Sequence, residues 1–418
     1  MRNLILLISL FFSLSLFSQE IGRFSLYIDE RYIDAPVSVP LNHFNYNADA
    51  GEIALYEIMG SEEKLVPSQI ETGRTMSLCF ILDGLSRKKT TREFVIRLNH
   101  QNLLENPDHL IYMNKSDGNL TFYSGKFPIL SYRFETMSPP KGVDPLYERS
   151  GFIHPLYSPG GEVLTRVQAP DHYHHYGIWG PWTLTHIDGR EVDFWNLAKG
   201  QGTVRFNTFL SKTSGKVFSG FKVLQQHIDF GNKGKDQVAL NEVLEVRIWN
   251  VGRKVWLVDY TTTFNSPLPN GIVFDAYRYG GGIGFRATEK WTKDNSSVLT
   301  SEGKTRNEAD GSRARWCIVE GEADVVEKKA GILFMSHPFN RQYPEPMRVW
   351  PENANGNRGD IYFEFVPIRY EPWTIKPFQD YTLSYRLIVF DGEMNKETAE
   401  AYWNSFATTP KVQIEYNK

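Results

Sequence analysis

Apolar residues along this chain recur mostly at every second position, in short runs separated by clusters of Gly, Pro, Asn and Asp. A period of two sends alternate side chains to opposite faces of a strand. The pattern therefore predicts an all-β protein: an antiparallel β-sandwich or supersandwich with a small N-terminal β region and a C-terminal helix. Between Gln237 and Asn250, Val238, Leu240, Leu244, Val246 and Ile248 share one parity, and Asn241, Glu245 and Arg247 share the other. Glu242 and Val243 break the alternation and suggest a bulge. Tyr381 to Val389 alternates more cleanly, with Tyr381, Leu383, Tyr385, Leu387 and Val389 on one face and Thr382, Ser384 and Arg386 on the other. A helical period is clear at Ala399, Tyr402, Trp403 and Phe406. It predicts a helix within Glu393 to Ala407 that packs on a sheet edge or a sandwich end.

The first residues change the picture of where this fold works. Met1-Arg2-Asn3 is a short basic start, and Leu4 to Phe17 is almost wholly apolar before Ser18-Gln19-Glu20. That stretch reads as a secretory signal peptide over residues 1–18, with cleavage near Ser18. No later segment has the roughly 20 apolar residues that a membrane helix needs. The expectation is a soluble protein of the periplasm or the medium, with no membrane insertion. An N-terminal β region over 19–105 closes in the polar stretch from His100 to His109, and the main β-sandwich domain follows over 106–418. The net charge of -3 is too small to point to nucleic acid as a partner. Cys79 and Cys317 are the two cysteines; they either pair or remain buried thiols, and neither case makes a disulfide scaffold. The sequence leaves the oligomeric state open.

Candidate chemistry concentrates in one place. Of the 10 histidines, His172, His174, His175 and His186 fall close together, beside Asp171, Tyr173, Tyr176, Trp179 and Trp182. If His172 to Tyr176 is extended, His172, His174 and Tyr176 share one face, while Tyr173 and His175 take the other. Imidazole and phenol suit proton transfer. One group removes a proton α to a sugar carboxylate while a second protonates the oxygen leaving the β carbon. His172, His174, His175 and Tyr176 are the acid and base candidates. Arg278 and Arg348, with His337 as a further donor, are the candidates for holding the carboxylate. Trp179, Trp182, Trp195 and Trp350 offer flat faces for sugar rings. This chemistry requires no cofactor. A divalent metal on the His-x-His pair is the alternative, with a third ligand from His337, Glu345 or Asp193. The structural reading of the same residues is that the histidines pack with the tryptophans and satisfy buried groups.

Three stretches carry a family resemblance: Gly151-Phe152-Ile153-His154-Pro155-Leu156-Tyr157-Ser158-Pro159-Gly160-Gly161, then Pro170 to Trp179, then Ser336-His337-Pro338 with Arg348-Val349-Trp350-Pro351. Over about Ile111 to Phe390 the chain resembles the PmoA-type family of uncharacterised secreted bacterial proteins. That family's methane oxygenase label is not carried over, because no oxygen-activating ligand set is visible. The resemblance implies a place in polysaccharide utilisation and extends to oligosaccharide dehydratases of ulvan degradation. Where many relatives have Pro between the first two histidines, this chain has Tyr173. The resulting expectation is a lyase or dehydratase acting on an acidic oligosaccharide. The alternatives are a glycoside hydrolase, with Asp171 and Glu345 the first carboxylates to test, and a non-catalytic sugar-binding protein.

Overall fold

The computed structural model describes residues 19–44, 46–99, 110–231 and 235–415. The apolar start over residues 1–18 and the whole stretch from His100 to His109 lie outside the described residues. Among those described, no helix is long and apolar enough to cross a membrane.

The alternating runs form two antiparallel sheets of eight strands each. One runs, edge to edge, Met347–Val349, Tyr362–Phe365, Ile283–Arg286, Ile178–Trp179, Phe152–Leu156, Phe127–Arg133, Asn119–Ser124 and Ile111–Ser116. The other runs Gly202–Thr213, Phe218–Asp229, Gln237–Trp249, Val255–Asn265, Tyr381–Asp391, Lys329–Ser336, Trp316–Glu322 and Ser296–Thr300. Their inner faces meet in one apolar core. Phe285 lies 5.2 Å from Phe334, Phe122 lies 5.9 Å from Phe221, and Phe365 lies 5.7 Å from Tyr385, ring to ring across the sandwich. The all-β sandwich expected from the period of two is the observed fold.

Two details differ from the strand readings. Glu242 does not mark a bulge: it stays in register with Phe264 and points into the core, where His227 Nε2 (2.7 Å) and Thr262 Oγ1 (2.6 Å) bond its carboxylate. A buried carboxylate with such partners can take an apolar position in the alternation. The register shift falls instead between His227 and Ile228 on the neighbouring pairing. In Tyr381–Asp391 the second face is exposed at Thr382 and half-buried at Ser384, but it is buried from Arg386 on, where Arg386 pairs with Asp259 and donates to Ser405 O of the C-terminal helix at 3.1 Å.

That helix, Lys396–Ala407, begins where Asn395 accepts from Thr398 N at 2.8 Å. It packs on the outer face of the second large sheet, with Ala399 and Tyr402 beside Trp316, Leu333 and Ile388, rather than on a sheet edge or sandwich end. Ser405 also bonds Ile33 N (2.8 Å), which ties the helix to the N-terminal region. That region is a five-stranded and a three-stranded sheet around Phe24, Phe80 and Phe94, and its first strand, Glu20–Ile28, pairs with the C-terminal strand Lys411–Glu415. Cys79 and Cys317 are separate, buried free thiols.

Candidate active site

The strand His172–Tyr176 belongs to neither large sheet. It pairs only with Val167–Ala169, in a two-stranded ribbon. Val167 faces Tyr176 and Ala169 faces His172, so the ribbon advances two residues on one side and four on the other. The surplus residues bulge, and a bulge breaks the alternation of faces. His175 therefore does not point away from His172 and His174. The three imidazoles converge, with ring centroids 4.7 Å (His172–His175), 4.8 Å (His174–His175) and 5.4 Å (His172–His174) apart. Tyr176 leaves the group: its hydroxyl donates to Tyr147 O, burial pushes its pKa up to about 12, and its ring packs 4.9 Å from Phe152.

Asp171 organises the trio. Its Oδ2 accepts from His172 Nδ1 (2.8 Å) and from Arg286 Nη2 (2.7 Å). A carboxylate can only accept, so His172 carries its proton on Nδ1 and keeps a lone pair on Nε2. Burial pushes the Asp171 carboxyl up, but the His172 bond and the Arg286 charge outweigh it and hold the group well below the carboxylate range. Arg286 is buried; it also bonds Asp360 Oδ2 (2.7 Å), directs Nη1 at His175 Nδ1 (3.3 Å) and lies 4.8 Å over the Trp350 ring. A guanidinium only donates, so His175 accepts at Nδ1 and its proton sits on Nε2, a buried atom without a partner. Desolvation, reinforced by the neighbouring imidazole and guanidinium charges, pushes His175 well down. His174 is pushed down to about 4, first by desolvation and then by His172.

An aromatic wall surrounds the trio. Trp179 lies beneath it, fully buried and 5.5 Å from His175; Trp195 stacks 5.6 Å from His175 and 5.3 Å from His174; Trp350 lies 4.8 Å from His172. Trp195 Nε1 also donates to His174 O at 3.0 Å. The half-buried Tyr279 joins this wall, its ring 5.1 Å from Trp195. Its hydroxyl oxygen accepts from Arg348 Nη2 (3.1 Å) and Trp350 Nε1 (3.2 Å). Both partners only donate, so its own proton points elsewhere. The next residue, Gly280, gives its N–H to Glu364 Oε1 at 2.6 Å, and Tyr362 bonds the other oxygen at 2.7 Å. Burial pushes Glu364 up to about 8. Gly281 has to be glycine, because a Cβ there would stand 2.0 Å from Phe365 O.

The remaining sequence candidates divide. Arg348 joins the site through Tyr279 and pairs with Asp310 at 2.8 Å; the exposed Arg278 lies over the same Tyr279 ring at 5.3 Å. Trp182 is in the main core against Phe274 (4.4 Å) and offers no face to a ligand. His337 packs on Phe339 and Phe406, beside the C-terminal helix. Asp193 is sealed by bonds to Thr183, to Trp195 N and to Asn196, so it caps the Trp195 loop. Glu345 is engaged by Ser336, Asn340 and Tyr385 in the core, shares no partner with Asp171, and is pushed up to about 7 by burial. The third metal ligand expected from His337, Glu345 or Asp193 is not supplied by any of them; among the described residues His175 is the neighbour at hand.

Among the described residues, His172, His174 and His175 form the His/Cys/Asp/Glu group whose ligand atoms lie within 4.8 Å of one another, a donor set of the zinc type. Arg286 works against a third bond, since the His175 tautomer it sets has no lone pair on Nε2. Arg306 braces the surroundings: it donates to Trp350 O (3.0 Å) and to the Gly359 and Asp360 carbonyls (2.6 Å each), and so holds the loop that carries Trp350 and Asp360. Arg286, Asp360, Tyr279 and Arg306 were not singled out from the sequence. Of these, Tyr279 alone had a local cue, in the run Tyr277 to Gly282.

These shifts set a pH window for stability. His154 and His174 each fall from an ordinary 6.5 to about 4, and burial also holds His175 well below its ordinary value, so the unfolded chain binds more protons below pH 6.5. Their contribution is present above pH 6.5 and lost as pH falls. Glu345 and Glu364 rise from 4.5 to about 7 and about 8, so their contribution is present below pH 4.5 and lost as pH rises through those values. Three imidazoles outweigh two carboxyls on the acid side. The melting temperature is expected to peak near pH 6.5 in a scan from pH 4 to 9; a peak at pH 8 or above would contradict these assignments.

No curated protein sequence matches this chain. Solved structures are similar at a distance. One is a protein in the Glycosyl Hydrolase Family 38 from Enterococcus faecalis, with 9% identity and a TM-score of 0.43, covering 95% of this chain and 47% of that one. Heparan sulfate lyase HepC from Pedobacter heparinus has 11% identity and a TM-score of 0.29, covering 72% and 38%. A galactose mutarotase related enzyme from Lactobacillus acidophilus has 9% identity and a TM-score of 0.26, covering 68% and 100%. This chain thus spans less than half the length of the first two. A family model described as a family of unknown function, DUF6807, matches residues 119–404.

Proposed function

This chain belongs to the DUF6807 family, whose function is unknown, and from its site we propose a carbohydrate lyase or dehydratase acting on uronic-acid-containing oligosaccharides, such as those of ulvan. The observation that carries this reading is a pair of proton carriers that both touch Trp350: the His172 ring lies 4.8 Å from the Trp350 ring, and Trp350 Nε1 donates to the Tyr279 hydroxyl oxygen at 3.2 Å. His172 keeps a free Nε2 because Asp171 fixes its tautomer, and Tyr279 has a proton to give because Arg348 and Trp350 occupy its lone pairs. In the proposed reaction His172 Nε2 takes the proton α to the sugar carboxylate. The electron pair forms the new C=C bond, the C–O bond at the β carbon breaks, and Tyr279 gives its proton to the departing oxygen. Arg348 and the Trp350 N–H then hold the phenolate oxygen, and Arg278 at the rim is placed to receive the carboxylate. His174 and His175 remain neutral and wall the site. The aromatic wall suits a sugar ring. The resemblance to PmoA-type proteins and to ulvan dehydratases belongs to this proposal, as does export to the periplasm or the medium.

The test is incubation of the full chain with acidic algal oligosaccharides, followed by the ultraviolet absorbance of an unsaturated uronate and by mass. A rise with loss of one water, or with release of an alcohol fragment, supports the reading. Cleavage without unsaturation would move the assignment to a hydrolase, and no product across a broad panel would leave a sugar-binding protein. The close spacing of the trio favours one second reading, a metal centre. Under the proton-transfer reading turnover survives dialysis against a chelator; turnover lost on dialysis and restored by Zn2+ would make the trio ligands.

A further inference from the structure

A cavity of about 650 Å³ lies where the N-terminal region meets the main sandwich. Its walls are Ile33, Leu65 and Ile81 from the N-terminal strands, the turn 250–254 of the second large sheet, and Tyr402 of the helix Lys396–Ala407. Tyr402 is 6% exposed and packs among the apolar residues under the helix, yet its hydroxyl has no partner among the described residues. That oxygen is not among the buried atoms sealed from solvent, so it opens on the cavity that the side chain lines. Burial, and then the Asp34 charge, push the phenol up, so it keeps its proton as a donor. Asp34, half-buried, stands on the same wall. Its Oδ1 accepts from Gly84 N at 2.7 Å; its Oδ2 has no partner among the described residues and is likewise not sealed.

We propose that this cavity binds a neutral sugar, with one ring hydroxyl donating to Asp34 Oδ2 and a neighbouring one accepting from the Tyr402 phenol. The other charges of the wall are already matched. Glu57 takes two bonds from Arg92, at 2.5 and 2.6 Å, and Asp83 pairs with Lys64 at 3.6 Å. Arg253 lies 3.5 Å over the Phe127 ring, and Lys216 is engaged as well. Lys254 remains, close enough to Asp34 to oppose its charge. A charged ligand therefore meets no unmatched counter-charge here. A sugar hydroxyl, which both donates and accepts, suits a carboxylate oxygen beside a phenol. Leu65, Ile81 and Val251 offer apolar surface to the C–H face of a ring, and the volume falls within the roughly 300–1,000 Å³ of small-ligand sites.

The experiment is titration calorimetry of the full chain with glucose, xylose and cellobiose, and with glucuronate and glucosamine as charged probes, on wild type, Tyr402→Phe and Asp34→Asn. It reads binding alone and so stands apart from the proposed reaction. Wild type is expected to bind at least one neutral probe more tightly than either charged one. Tyr402→Phe removes a hydroxyl without a partner, so its melting temperature should not fall, while affinity for that probe falls about threefold to tenfold. Asp34→Asn keeps the Gly84 bond through its amide oxygen and tolerates the left-handed backbone at this position, φ 46°. It turns the Oδ2 acceptor into a donor and should lose at least about tenfold, the scale of one charge-assisted bond. Unchanged affinity in either variant overturns the proposal, as does the failure of all three neutral probes to bind. Tighter binding of glucuronate or glucosamine than of every neutral probe overturns the ligand class.

Discussion

Replacing His172 by alanine should lower kcat by about 10²–10⁴-fold while changing KM little, the loss expected when a positioned general base is removed. Its Nδ1 is engaged by Asp171 at 2.8 Å, and its side chain is 34% exposed, so Nε2 is the accessible basic atom of the trio. His174 is already a weak base at about 4, and His175 is buried against Arg286, so neither can take over. His174→Ala should cost less, about tenfold, through lost packing on Trp195. Asp171→Asn should fall between the two, because its amide can present an acceptor to His172 only if its NH2 group turns elsewhere. Tyr279→Phe keeps the ring and should match His172→Ala in kcat if it is the acid. Turnover by His172→Ala within a few-fold of wild type, in a protein with an unchanged melting temperature, would refute the assignment of the base.

Arg286→Met should be the most damaging single change to stability. The guanidinium is 1% exposed and bridges Asp171 and Asp360, each at 2.7 Å. Removing one partner of a buried charge pair typically costs about 3–5 kcal/mol, because the carboxylate left behind is no longer neutralised. Asp360 keeps Asn355 and Arg358, whereas Asp171 keeps only His172. The damage should therefore concentrate at the Asp171–His172 pair. Lysine at 286 would preserve the charge but not the fork that meets two carboxylates and an imidazole together, so Arg286→Lys should recover part of the stability and little turnover. Denaturant titration checks both variants. A loss below about 1 kcal/mol in Arg286→Met would mean that the network is not supporting the site.

The period of two in Tyr381–Asp391 and the helical period around Tyr402 specify their elements directly, since each records which side chains must leave water. The sequence also shows that imidazoles gather near His172, because three histidines within four residues are adjacent whatever the fold. It does not show how they face. Alternation puts His175 on the far side, and only the unequal pairing with Val167–Ala169 turns it back toward its neighbours. Nor could it choose among the arginines. Arg286 stands 115 residues from Asp171 in sequence, and Tyr279 meets Arg348 across 69, contacts that exist only once the strands have packed. Trp182 was indistinguishable from Trp179 by proximity in sequence, yet one enters the main core and the other the floor of the site. Hydrophobic periodicity and local clustering are properties of a one-dimensional chain, which is why the β architecture, the C-terminal helix and the crowding of histidines near His172 can be read from it. Folding settles which imidazole nitrogen is free, that Asp171 fixes the tautomer of His172 and Arg286 that of His175, and which donors engage the Tyr279 phenol, because tautomer and charge depend on partners brought together from distant parts of the chain.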